Sequence, residues 1–144
     1  MGGTVYFIAV SETGQVYTSS NSAINWKLSS QLAAALYGIS MGRNGIAYAV
    51  GMSNSSQQAV IFQSTNISGY SIWIKVSMST KVIAQLNSVS TYDGVSVYTV
   101  GLHGVLYSSR NSGMNWNLTY PGALFCPGVD LYSVSVSSST SGNY

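Results

Sequence analysis

The chain has 144 residues, enough for one domain with a real core. Charged residues make up 6% of it, against about 25% in an average soluble protein, and the net charge of +2 rests on five scattered basic residues, Lys27, Arg43, Lys75, Lys81 and Arg110. That scatter excludes the basic stripe that a nucleic acid or an anionic membrane surface requires, no apolar run approaches a membrane span, and the single cysteine, Cys126, excludes an internal disulfide or a multi-cysteine metal site.

In chain order, residues 4–10 read as a β-strand of aromatic and branched residues, followed by a turn at Glu12 and Gly14 and a second strand that ends at Tyr17 and Ser19. An Asn- and Ser-rich turn then leads to Trp26, which opens another strand. Residues 31–36 are the one helix-like stretch and are too short to matter. The next strand is centred on Leu36, Ile39 and Ser40. The same order then recurs: Tyr48 to Gly51, a longer turn, Ile61 to Ser64, an Asn66 turn, Trp73, and Leu86, Val89 and Ser90. It recurs once more as Tyr98 to Gly101, a turn at His103 and Gly104, Tyr107 and Ser109, an Asn111 turn, Trp116, and Leu131, Val134 and Ser135. The first and third copies superimpose without a gap, so that Val10, Gly14, Tyr17, Ser19, Asn21 and Trp26 meet Val100, Gly104, Tyr107, Ser109, Asn111 and Trp116. The approximate repeat bounds are 3–44, 45–93 and 94–144. Four short strands per repeat, at a period of about 45 residues, predict an all-β fold of four-stranded antiparallel propeller blades.

The turns before the tryptophans carry a family resemblance. Ser19, Asn21, Ala23, Asn25 and Trp26, and again Ser109, Asn111, Gly113, Asn115 and Trp116, resemble the Asp-box, Ser-x-Asp-x-Gly-x-Thr-Trp, of the BNR propellers, which include sialidases, sortilin-type receptors and photosystem II assembly factors. The middle copy, Ser64, Asn66 and Trp73, is stretched by two residues. In that family the Asp caps a hairpin turn, the Gly accepts a positive φ and the Trp packs between blades. All three copies here hold Asn in place of Asp, and Ala23 replaces Gly in the first. Asn still caps such a turn, without the charge. The resemblance implies architecture, and a structural role for these nine Ser, Asn and Trp positions.

Nothing in the chain assembles a catalytic set. Sialidases of this type use an arginine triad, a Tyr–Glu pair and an acidic residue, whereas only Arg43 and Arg110 are present, and Glu12, Asp93 and Asp130 fall in separate places, which also disfavours two-carboxylate glycosidase chemistry. His103 reads as an exposed turn residue and Cys126 as a small buried or loop residue. No metal and no cofactor is expected. Three sequons, at Asn54, Asn66 and Asn117, are candidate N-glycosylation sites and lean the placement toward a secreted or cell- or particle-surface protein.

The expected function is a non-catalytic scaffold for protein–protein interaction or assembly, with protein partners or further copies of the chain. A lectin-like or receptor module holding a glycan or peptide is the alternative, and a glycosidase fragment the third reading. Closed propellers usually have four to eight blades. The phase of the repeat, from a second strand at residues 4–10 to a first strand carrying Leu131, Val134 and Val136, leaves complementary edges. Residues 142–144 resemble the start of a further repeat. The chain therefore reads as an excerpt of a longer propeller, as half of a six-bladed ring closed by strand exchange, or as a unit of a head-to-tail filament.

Overall fold

The computed structural model describes residues 5–67, 71–119 and 128–138. Cys126, Thr4 and residues 142–144, each given a role or an element above, lie outside them. Three antiparallel sheets follow one another along the chain. Sheet 1 holds β1 (Phe7–Val10), β2 (Gln15–Ser19) and β3 (Lys27–Gln31) in that spatial order. Sheet 2 holds β4 (Ala34–Met41), β5 (Ala47–Ser53), β6 (Ala59–Ser64) and β7 (Ile74–Lys75), and sheet 3 holds β8 (Leu86–Thr91), β9 (Val97–Gly101), β10 (Leu106–Ser109) and β11 (Asn117–Thr119). Each sheet is a meander, every strand pairing with its sequence neighbour. The sheets are offset from the sequence repeats by one strand, because the last strand of each repeat opens the next sheet. Each tryptophan sits immediately before the outermost strand of its sheet, at β3, β7 and β11.

Residues 31–36 carry no helix. Gln31 ends β3 and Ala34 begins β4, where Ala34 and Leu36 are buried in one apolar cluster and Ile39 packs against it. Sheet 2 is sandwiched, which explains why β5 and β6 read as continuous apolar runs. Tyr48, Val50, Ala59 and Ile61 face sheet 3, packing with Leu86, Val89, Val97, Tyr107 and Trp116. Ala49, Val60 and Phe62, one residue out of phase, pack with Ile8, Val10 and Val16 of sheet 1. Strand side chains alternate between faces, so a strand buried on both sides loses the polar half of its pattern.

The innermost strands are linked through serine hydroxyls. The Thr91 N–H donates to Ser40 Oγ at 3.2 Å, joining β8 to β4. One blade later the Val136 N–H donates to Ser90 Oγ at 2.9 Å and the Val134 N–H to Ser88 Oγ at 3.2 Å. The Leu131 N–H reaches the Gly101 carbonyl at 3.0 Å, just as the Leu36 N–H reaches that of Ser11 at 3.2 Å. Residues 131–136 thus stand beside β8 as β8 stands beside β4. They were expected as a strand, and they run extended but join no ladder. No second strand of a sheet of their own lies among the described residues, and their bonded N–H groups are held by side chains or by a strand end.

A candidate protein-binding surface

Where sheet 3 meets sheet 2, the turn between β10 and β11 closes the contact. Asn111 Oδ1 accepts from Ser109 Oγ and from the Asn115 N–H, both at 3.0 Å, and the Gly113 N–H donates to Ser109 Oγ at 2.9 Å. This locks a turn in which Ser112 and Gly113 both have positive φ, 56° and 77°. The turn sets Trp116 edge-on to Tyr48, with centroids 6.1 Å apart at 76°, and the indole N–H donates to the Gly113 carbonyl at 3.0 Å. Tyr48 donates to the Gly94 carbonyl at 2.8 Å, while Gln63 donates to the Ser112 carbonyl at 2.8 Å. Burial pushes the Tyr48 phenol above its ordinary value, keeping it a neutral donor. At the far end, the Arg43 guanidinium lies 5.1 Å from the Tyr92 ring centre and donates to its hydroxyl at 2.6 Å.

Sheet 1 repeats this turn. Asn21 Oδ1 accepts from Ser19 Oγ at 2.9 Å and from the Asn25 N–H at 3.0 Å, with Ser22 and Ala23 at φ 59° and 62°. The register repeats too: Ala9, Tyr17 and Leu28 line up across β1, β2 and β3 as Thr99, Tyr107 and Leu118 do across β9, β10 and β11. The surroundings do not. Trp26 is 43% exposed where Trp116 is 4%, and Phe7 is 38% exposed where Val97 is fully buried. Leu28 is exposed where Leu118 is partly buried. This face corresponds to the one that sheet 3 lays on sheet 2, and no sheet covers it among the described residues. Beside it, Tyr6, Thr18, Asn21, Asn25, Lys27 and Leu28 line an open cavity of about 630 Å³. The outer edge of β1 has no neighbouring strand among the described residues, whereas β5 and β9 are paired on both sides.

The sequence singled out Trp26 and the turn residues. It missed Phe7, Tyr17 and Leu28 as members of one surface, although the ninety-residue superposition onto Val97, Tyr107 and Leu118 carries that signal. The stretched middle turn differs from the other two: Ser64 Oγ donates to the Asn66 carbonyl at 2.9 Å, and the buried indole N–H of Trp73 has no hydrogen-bond partner among the described residues. Asn54, Asn66 and Asn117 are all exposed. His103 is exposed in a 3-10 turn, Leu102–Gly104, with φ 59°, and its backbone N–H donates to Asp130 Oδ1 at 2.8 Å. Glu12 and Asp93 lie in the β1–β2 and β8–β9 turns. Among the described residues no three His, Cys, Asp or Glu side chains group as a metal site, and no helix is long and apolar enough to cross a membrane.

Successive meanders of three, four and four strands, stacked face to face and linked along their innermost strands, define a β-propeller arrangement. The chain is similar in structure to a solved protein described as YCF48 bound to D1 peptide, with a TM-score of 0.63 and 12% sequence identity over 81% of this chain. It spans 36% of that protein's length. No protein-family model matches the sequence, and no curated protein is significantly similar to it.

Proposed function

We propose that the chain is a non-catalytic propeller scaffold that recognises proteins through the free face and open edge of its first blade. The observation that carries this reading is the row of Phe7, Trp26 and Leu28, exposed at positions that the third blade buries, at Val97 and Trp116, or partly buries, at Leu118. Apolar side chains grouped in this way mark contact surfaces, and an open strand edge pairs with extended polypeptide. The structural neighbour is described with a bound peptide, which accords with a peptide or protein partner. The Asn-capped turns serve as structural remnants of Asp-boxes. An extracellular or particle-surface placement goes with the reading, and endoglycosidase-sensitive mobility after expression in a glycosylating host checks it at Asn54, Asn66 and Asn117.

The hydroxyl- and amide-lined cavity beside Lys27 favours a lectin-like second reading, in which Tyr6 and the polar side chains hold a sugar. Panning a display library of extended peptides, in parallel with a glycan array, separates the two. The scaffold reading expects peptides of alternating β-pattern to be enriched, and their binding to be lost in Phe7→Asp. Glycan binding without peptide binding overturns it.

A further inference from the structure

We infer that the outer strand of the middle blade, β7, is a second docking edge, which takes up an extended polypeptide segment of alternating apolar and acidic residues. The inference goes beyond the first-blade surface and does not depend on it, because the middle blade has a sheet packed on each of its faces. Its basis is a reversal of pattern at positions that the strand register makes equivalent. Lys75 stands opposite Phe62 as Leu118 stands opposite Tyr107 and Leu28 opposite Tyr17. The residue before it is Ile74, where the other two blades hold Asn117 and Lys27. Ile72, two residues earlier, likewise replaces Asn115 and Asn25. The outer strands of the first and third blades thus run polar, then leucine, while the middle one runs isoleucine, then lysine. Packing within the chain does not account for the change: Ile72 and Ile74 are 75% and 65% exposed, and Lys75 is exposed too.

The backbone of this edge is free to pair. Ile74 lies opposite Gln63, and the Val76 N–H donates to the Ile61 carbonyl at 2.8 Å, so both residues turn their backbone groups inward to β6. In an antiparallel ladder that alternation turns the Lys75 N–H and C=O outward, and among the described residues no strand lies beyond them. The side chains sort by face. Gln63 reaches the Ser112 carbonyl of the third blade at 2.8 Å, which puts its cross-strand neighbour Ile74 on that side. Phe62 packs toward the first blade, and its neighbour Lys75 belongs to that side. An added strand therefore meets isoleucine on one face and lysine on the other. On the isoleucine side Met114 is 76% exposed, and with Trp116 it helps to line an open groove of about 610 Å³. Charge selects the occupant. Residues 13–92 contain Lys27, Arg43, Lys75 and Lys81 and no acidic residue, so Lys75 has no carboxylate in its own blade. Acidic side chains of a partner strand supply one, whereas a second copy paired edge to edge would set lysine near lysine.

A fluorescein-labelled peptide of alternating valine and glutamate, followed by fluorescence anisotropy on the full chain, tests the inference. Saturable binding is expected, weakening as salt rises. The matching valine–lysine peptide should bind at least about tenfold more weakly. Lys75→Glu should exchange the two preferences. Ile74→Asn, which installs the third blade's residue, should weaken binding of the valine–glutamate peptide at least about tenfold. Methylating alternate backbone nitrogens of the probe removes its edge hydrogen bonds and should abolish binding. Phe7→Asp, on the first blade, should leave binding unchanged. Far-ultraviolet circular dichroism establishes that each variant keeps its sheets. No saturable binding at about 1 mM peptide overturns the inference, as does an unchanged preference in Lys75→Glu. Binding lost in Phe7→Asp but kept in Ile74→Asn overturns it and leaves the first-blade reading standing, so the two failures are distinguishable. Association of the chain with itself, seen by sedimentation and lost in Ile74→Asn, gives the edge to a second copy and overturns it as well.

Discussion

Trp26 and Trp116 end the same turn in two blades, follow the same Ser and Asn caps, and have opposite surroundings. In the third blade the capped turn delivers an indole into a closed joint, where it meets Tyr48 and returns its N–H to Gly113. In the first blade the same turn holds its shape with Trp26 43% exposed and no sheet laid over it among the described residues. The local motif therefore makes the turn, and the neighbouring blade makes the burial. Turn geometry is a property of a few consecutive residues, whereas the energy of the tryptophan belongs to the interface.

The comparison breaks most plainly on truncation. Trp116→Ala removes a buried aromatic side chain from a packed joint and should cost about 3–5 kcal/mol. Trp26→Ala, measured at dilution on single chains, should cost about 1 kcal/mol or less, since much of the side chain is already in water. Urea unfolding midpoints of the two variants at one low concentration decide this. Equal losses would mean that the first blade's face is buried by something the single chain already contains.

Hydrogen bonding separates the middle blade from the third by a smaller margin. Trp116→Phe keeps most of the ring packing but loses the bond to the Gly113 carbonyl, and should cost about 1 kcal/mol beyond the change in shape. Trp73→Phe removes a buried N–H that has no partner, so that part of the cost disappears or reverses. The same urea series reads the difference between the two variants, and a larger loss at Trp73 would contradict it.

Much of this arrangement was legible in the sequence because repeats expose their own alignment. The strand order, the three tryptophans and the offset between repeat and sheet all follow from matching Val10, Tyr17 and Trp26 to Val100, Tyr107 and Trp116. The solvent exposure of Phe7 was not legible, because a strand's pattern marks which side chains are apolar and is silent on whether a neighbouring sheet covers them. Residues 131–136 were readable as a first strand by pattern and, from the phase of the repeat, as an unpaired one, but their seat on Ser88 and Ser90 of β8 was not. Contacts between strands of different sheets are a property of the assembled sheets.

The left-handed residue of the turn sharpens the same contrast. Ala23 and Gly113 are equivalent, at φ 62° and 77°. A side chain in that region is strained, and in the third blade an added Cβ would also meet Tyr48 at 3.0 Å. Gly113→Ala should destabilise the chain by about 1–2 kcal/mol, while Ala23→Gly should stabilise it by about 0.5 kcal/mol, the relief of strain being offset in part by the freer unfolded chain.

The smallest effect concerns the turns at the other end of the same strands, where the second blade uses a neutral cap and the third a charged one. Asn44 Oδ1 accepts from the Ile46 N–H at 3.0 Å, whereas Asp93 Oδ1 accepts from the Ser96 and Val95 N–H groups at 2.7 and 2.8 Å. Those donors, Ser96 first, hold the Asp93 carboxyl below its ordinary value. A carboxyl whose folded value is depressed contributes stability at pH above its unfolded value, and that contribution is lost as the pH falls through the folded value. The group is almost fully exposed, so solvent screens most of the effect. Urea midpoints followed from neutral to strongly acid pH should therefore fall slightly less in Asp93→Asn than in the parent chain. An unchanged acid limb would mean that the two turns, charged and neutral, are held equally well by geometry alone.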